Sequence, residues 1–264
     1  MSKTRISEYE NWPMGRNTRK PSLTILDNPA KLYGATRRCA GSVLVVARID
    51  LTCFYGASGG TWRRFDSQSV GNDGRCRLAY RDQTWVVRLA GPHSQPGQPA
   101  SSSIRPSLAA RMLHELAVTE NDHILEIGTG TGYLTALLCH RLGASNITST
   151  DIDADLVDSA GRILAELGYT PTLATADGTH GYPDRAPYDR VLGTAAVEKV
   201  PQSWIDQTRP GGRIVTPLRS AIAVIHEIWH TAGDPRPDRY QLTINPQGHT
   251  ISLDDRHSPH SWKL

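Results

Sequence analysis

Cysteine is scarce in this 264-residue chain: its four thiols, Cys39, Cys53, Cys76 and Cys139, include no C-x-x-C pair. No apolar segment follows the polar start Met1-Ser2-Lys3-Thr4-Arg5 either, and together these point to reduced thiols in the cytoplasm. Long hydrophobic runs are also missing, since none exceeds about eight residues where a membrane-spanning helix needs roughly 20. No membrane association is expected. The ten histidines are scattered, and the close pairs His226/His230 and His257/His260 lack both the H-E-x-x-H pattern and a nearby cysteine, so no metal is expected. Excess charge is confined to one end. The formal net charge is +3, yet residues 1–20 hold Lys3, Arg5, Arg16, Arg19 and Lys20 against Glu8 and Glu10, leaving 24 basic and 24 acidic residues elsewhere. A neutral body with a short basic tail argues against a nucleic-acid partner.

What is present is a globular composition, 38% hydrophobic and 21% charged, which excludes wholesale disorder. At about 150 residues per domain the length suits one to two domains. Residues 1–38 are polar, carry Pro13, Pro21 and Pro29, and read as an extended arm. Val43-Leu44-Val45-Val46-Ala47 reads as a buried strand, the Gly-, Ser-, Arg- and Asp-rich stretch from Gly56 to Gly74 as a loop, and Thr84–Leu89 as a second strand. Residues 91–103 are linker-like and set the boundary between residues 1–98, an N-terminal arm and substrate-facing cap, and residues 99–264. Beyond it, helix and strand signals alternate. Leu108, Met112, Leu113 and Leu116 form a helical stripe, followed by a strand at Ile124–Ile127, a helix at Leu134–Leu142 and a strand at Ile147–Asp151. A helix ending at Gly168 and strands at 172–175, 190–193 and 213–216 complete the series. This alternation predicts an α/β, Rossmann-like parallel sheet with helices on both faces. Residues 240–253, turning at Asn245-Pro246-Gln247-Gly248, predict a C-terminal antiparallel hairpin.

The most informative segment is Leu125-Glu126-Ile127-Gly128-Thr129-Gly130-Thr131-Gly132-Tyr133, a G-x-G-x-G loop between a strand and a helix. Glycines there let the backbone approach a ligand closely at a helix N-terminus. Asp151 follows Gly128 by 23 positions at the end of the next strand, the range at which a carboxylate accepts both ribose hydroxyls of a nucleotide-type ligand. Glu126 just before the loop suits a cationic amino-acid end and a sulfonium, and would serve a pyrophosphate poorly. Asp177-Gly178 reads either as an acceptor for an adenine amino group or as an ordinary turn.

Four segments, Glu126–Tyr133, Asp177-Gly178-Thr179-His180-Gly181-Tyr182-Pro183, Ala186–Val191 through Thr194-Ala195-Ala196, and Pro210-Gly211-Gly212-Arg213, together resemble the protein-L-isoaspartate O-methyltransferases, over about Ser101 to Leu218. The stretches Leu137–Gly143 and Ser258-Pro259-His260-Ser261-Trp262 resemble the actinobacterial branch found with ATP-grasp peptide maturation systems. The resemblance implies a class I S-adenosyl-L-methionine-dependent methyltransferase fold in residues 99–264. It implies cofactor contacts at Glu126, Gly128, Thr129, Gly130, Gly132, Tyr133, Asp151, Ile152, Asp177 and Gly178. The implied acceptor is an aspartyl or isoaspartyl carboxylate in a protein or, by the closer branch, in a ribosomally made peptide.

Such chemistry asks little of side chains, because a carboxylate is already ionised at neutral pH and attacks a sulfonium methyl without a general base. Positioning and exclusion of water then carry catalysis. In the resembled family a segment of the type Ile-Ser-x-Pro precedes the first core helix. Here it reads Ser103-Ile104-Arg105-Pro106, which puts Ile104 at the serine position. Ser103 and Arg105 are therefore the candidate substrate-loop residues, the guanidinium being suited to clamp a carboxylate, with Arg105 in plain solvent as the alternative. Thr194-Ala195-Ala196 falls where open α/β sheets bind ligands, or packs a helix; Trp204, Trp229 and Trp262 read as core or interdomain anchors. Two other readings stay open: a weak or inactive cofactor-fold peptide-binding module, and a small-molecule methyltransferase.

Overall fold

The four-residue strand Ile124–Ile127 (β5) is buried along its whole length, and its alternating side chains feed two hydrophobic layers on the two faces of its sheet. The structure, a computed structural model, describes residues 53–56, 62–65, 84–89, 99–218, 221–230, 237–245 and 249–254, all within one compact unit, Cys39–Leu264. The arm at 1–38 and the strand expected at Val43–Ala47 lie outside the described residues.

Four short strands, β1 (Cys53–Gly56), β2 (Trp62–Phe65), β3 (Val86–Leu89) and β4 (Pro99–Ser102), make an antiparallel sheet in the order β2-β1-β3-β4. Two expectations change here. β2 lies in the stretch read as a loop, and β4 lies in the stretch read as a linker, because pairing with β1 and β3 respectively supplies the backbone partners that local composition does not reveal.

The large sheet is built from β5, β6 (Ile147–Asp151), β7 (Thr172–Thr175), β8 (Tyr188–Gly193), β9 (Thr208–Leu218), β10 (Ala221–His230), β11 (Pro237–Asn245) and β12 (His249–Asp254). Its order is β12-β11-β10-β9-β8-β5-β6-β7. Strands β7 to β9 run parallel, whereas β9 to β12 run antiparallel, so the sheet is mixed; the expected hairpin is β11–β12, and β10 was not expected. Since β6 lies on one side of β5 and β8 on the other, the chain reverses direction across the sheet at β5. Open α/β sheets bind ligands at the carboxyl ends of strands at such a point.

Helices α1 (Pro106–Leu116) and α2 (Tyr133–Leu142) pack Met112, Leu116, Leu134 and Leu138 on Ile124, Ile147, Leu192 and Val215. Each such fully buried side chain contributes on the order of 1.5–3 kcal/mol. The opposite face buries Leu125, Ile127, Val191 and Ile214 under Tyr188 and Trp204, the latter from the short helix α4 (Gln202–Asp206). Helix α3 (Ala154–Glu166) adds Leu164, which meets Ala136 and Trp85. Pro106 starts α1 at a position needing no N–H donor, and Ile104 just before it packs against the same cluster as Ala109 one turn later. Among the described residues no helix is long and apolar enough to cross a membrane.

Candidate active site

The loop from β5 to α2 turns on three glycines in left-handed conformations, Gly128 (φ 99°), Gly130 (φ 52°) and Gly132 (φ 77°). Each has its own neighbourhood. A Cβ on Gly128 would overlap the Thr194 hydroxyl, one on Gly132 would press on Ala160 of α3 at 3.1 Å, and one on Gly130 would meet nothing within 4 Å. The loop is therefore packed at both ends and open in the middle, where a ligand can approach the backbone. Its floor is held by Gly128 and Thr129, whose amides donate to the Thr150 carbonyl at 2.7 and 3.1 Å.

Thr194, just past the end of β8, ties that strand to the end of β5. Its amide donates to the Ile127 carbonyl at 2.8 Å and its hydroxyl to the Gly128 carbonyl at 2.8 Å. Ala195 and Ala196 beyond it are exposed.

Asp151 sits where expected, at the end of β6. One carboxylate oxygen accepts from the Gly130 amide at 2.8 Å and the other from the Asp153 amide at 3.1 Å, so both oxygens are oriented by backbone. Next to it, Ile152 is 77% exposed, the one large hydrophobic side chain left in solvent among the described residues. Gly178 is required for packing, because a Cβ there would overlap Ile127, and its carbonyl accepts from the Trp204 indole at 2.7 Å. That places Trp204 in the core, as one reading of it had it; the side chains of Trp229 and Trp262 lie outside the described residues. Asp177 is exposed and caps its own turn, accepting from the amide and hydroxyl of Thr179 at 2.9 and 2.8 Å. Those two bonds hold its carboxyl below the usual range.

Glu126 lies beneath the loop, fully buried. Its Oε2 accepts from the hydroxyls of Thr135 at 2.5 Å and Ser149 at 2.7 Å, while Oε1 has no hydrogen-bond partner among the described residues. Burial pushes its pKa up to about 7 against the pull of those two hydroxyls. Ser149 also bonds the Thr129 hydroxyl at 2.7 Å, tying the carboxylate to the loop. Sequence reading missed Thr135 and Ser149; the visible signal was a polar Thr148-Ser149-Thr150 run inside a strand buried on both sides. Tyr133 opens α2 half-buried, and burial raises its phenol.

The candidate substrate loop lies at the start of α1. Ser103 exchanges bonds with Trp85: the Trp85 amide donates to its hydroxyl at 3.1 Å and its own amide to the Trp85 carbonyl at 2.7 Å. Arg105 is exposed, and its side chain makes no hydrogen bond or ion pair among the described residues.

Residues 80–234, more than half of the chain, match the family model for protein-L-isoaspartate(D-aspartate) O-methyltransferase. A protein-L-isoaspartate O-methyltransferase of Methanoculleus marisnigri is 42% identical over 143 residues, covering 54% of this chain and 60% of that protein. A second, from Syntrophobacter fumaroxidans, is 37% identical over 148 residues, covering 56% and 68%. The matched region thus spans about three fifths to two thirds of these curated relatives. A solved protein-L-isoaspartate O-methyltransferase overlays with a TM-score of 0.57 at 19% identity, covering 86% of this chain and 64% of that one, a likeness of fold. The glycine turn at the switch point and the extent of the family match agree, and this chain belongs to the protein-L-isoaspartate(D-aspartate) O-methyltransferase family.

Proposed function

We propose that this protein is an S-adenosyl-L-methionine-dependent carboxyl O-methyltransferase that esterifies an aspartyl or isoaspartyl carboxylate in a protein or ribosomally made peptide. The observation that carries this reading is the glycine turn, open at Gly130 and bracketed by the Asp151 carboxylate above and the buried Glu126 carboxylate below. The residues fit the cofactor. An orphaned, buried carboxylate oxygen at Glu126 suits a ligand carrying positive charge and would repel a pyrophosphate. Asp151 would hold the ribose hydroxyls and the exposed face of Ile152 the adenine. Asp177 commits Oδ1 to its turn and has Oδ2 3.6 Å from His180 Nδ1; this exposed carboxylate would face an adenine amino group. S-adenosyl-L-methionine supplies an electrophilic methyl group on a sulfonium.

The chain's own work is then positioning. Thr194 fixes the turn against β8, and the Glu126 charge favours a cation at the loop. Ser103 and Arg105 stand at the mouth of α1, where Arg105 would pair with the acceptor carboxylate through two parallel N–H donors. No proton needs to be removed from an ionised acceptor, so no general base is assigned. In this reading β3 belongs to a substrate-facing cap, supported by its pairing with β4 directly ahead of Ser103. The Leu137–Gly143 motif supports the finer reading of peptide tailoring beside an ATP-grasp ligase in the cytoplasm, and the free, buried Cys139 is compatible with that compartment.

Incubation with radiolabelled cofactor and isoaspartyl or aspartyl peptides is expected to yield a base-labile methyl ester. Cofactor binding without ester on any such peptide would instead support a non-catalytic peptide-binding module, the reading favoured by Ile104, which turns into the core and leaves no hydroxyl at that position. Arg105→Ala is expected to raise the peptide KM about tenfold with cofactor affinity unchanged, and Arg105→Lys to recover only part of it, because the loss is of a paired charged contact. Steady-state kinetics in both substrates reads this, and an unchanged peptide KM would return Arg105 to solvent.

A further inference from the structure

Strand β3 reaches the cofactor turn from outside the large sheet. Trp85, immediately before it, is 3% exposed and packs with Ala136 of α2 and Leu164 of α3. Three residues on, the Arg88 guanidinium spans two carboxylates at the start of α3, with Nη1 on Asp153 and Nη2 on Asp155 at 2.7 Å. Asp153 is the N-cap of α3: its Oδ1 accepts from the amides of Asp155 at 3.0 Å and Leu156 at 3.4 Å. The Asp153 amide in turn donates to Asp151, whose other oxygen holds the Gly130 amide. A continuous line of bonds therefore runs from Arg88 through Asp153 and Asp151 to the middle of the glycine loop.

We propose that Arg88 is a positioning residue for the methyl donor, fixing the Asp151–Asp153 turn and so the carboxylate offered to the ribose hydroxyls. The inference rests on the cofactor reading above. Three carboxylates, Asp151, Asp153 and Asp155, occupy five positions, and one guanidinium offsets the repulsion between two of them. The Arg88, Asp153 and Asp155 side chains are 39%, 28% and 79% exposed, and pairs as open as these contribute little to overall stability. Their effect is local. It falls on how sharply one turn is held, and hence on ligand affinity. The pairing also makes the small sheet part of the cofactor site, although none of its residues belongs to the recognised motifs.

The test uses the full chain and calorimetric binding of S-adenosyl-L-homocysteine, with hydrogen exchange of residues 151–156 measured without ligand. Arg88→Gln is expected to weaken binding about fivefold to tenfold and to speed exchange across the turn, with the melting temperature of the ligand-free protein nearly unchanged. Arg88→Lys should recover part of the affinity, since one ammonium replaces a two-pronged donor. Raising salt should narrow the gap between wild type and Arg88→Gln by screening the exposed pair. Affinity within twofold of wild type together with unaltered exchange overturns the proposal. So does a large fall in melting temperature at constant affinity, which would make Arg88 merely structural. If the wild-type chain binds no S-adenosyl-L-homocysteine, the cofactor reading fails, and exchange across the turn still decides whether Arg88 orders it.

Discussion

Gly128→Ala is expected to lower affinity for S-adenosyl-L-homocysteine by at least about thirtyfold, the largest loss foreseen for a one-carbon change in this protein. Two costs add. The backbone at Gly128 is left-handed, at φ 99°, which strains any L side chain by about 1–2 kcal/mol. The new methyl group also overlaps the Thr194 hydroxyl, and crowding of a packed site costs typically about 1–3 kcal/mol. Relief requires Thr194 to swing away, breaking its bonds to the carbonyls of Ile127 and Gly128 and unseating the loop that would hold the ligand. Thr194→Ala in the Gly128→Ala background should therefore restore part of the lost affinity by removing the clash. Calorimetry on the two variants checks this, and a single variant that binds like wild type would show that the turn does not form the ligand's cradle.

The second large effect concerns acid–base balance. Burial raises the Glu126 carboxyl from 4.5 to about 7, so between these values the folded chain keeps a proton that the unfolded chain has released. The folded state binds more protons in that window, and stability must fall as pH rises through it, levelling above about pH 7. The amount lost is of the order of 3 kcal/mol. Glu126→Gln keeps an acceptor for the Thr135 and Ser149 hydroxyls and carries no charge. The variant is expected to lose this slope and to be more stable than wild type by up to about 3 kcal/mol near pH 8, while binding the cationic cofactor more weakly. Urea unfolding from about pH 5 to about pH 8 measures the difference; curves that stay parallel would mean Glu126 is ionised throughout.

The site was legible where its geometry is local. Glycine spacing, the strand before it, the helix after it and the offset to Asp151 are all set by neighbours in sequence, and the structure keeps each of them. Features created by distant pairing were not. β10 was missed because its partners β9 and β11 define it, and β4 was hidden in a Ser- and Pro-rich stretch that becomes a strand only beside β3. The Arg88 contact joins residues 65 positions apart and left no pattern to find. Glu126 illustrates a mixed case: its type and position were readable, but its full burial under the loop followed from hydroxyls on α2 and β6. Ile104 is similar. Alignment on Pro106 exposed it as a departure, and its packing with the α1 cluster explains why an apolar side chain is comfortable there.

The staple at Thr194 also divides labour in a way useful for engineering. Thr194 itself is tied to the glycine turn, whereas Ala195, Ala196, Glu198 and Lys199 just beyond it are exposed. Randomising those four positions while Thr194 stays untouched is thus expected to change the surface beside the turn and leave the turn itself in register.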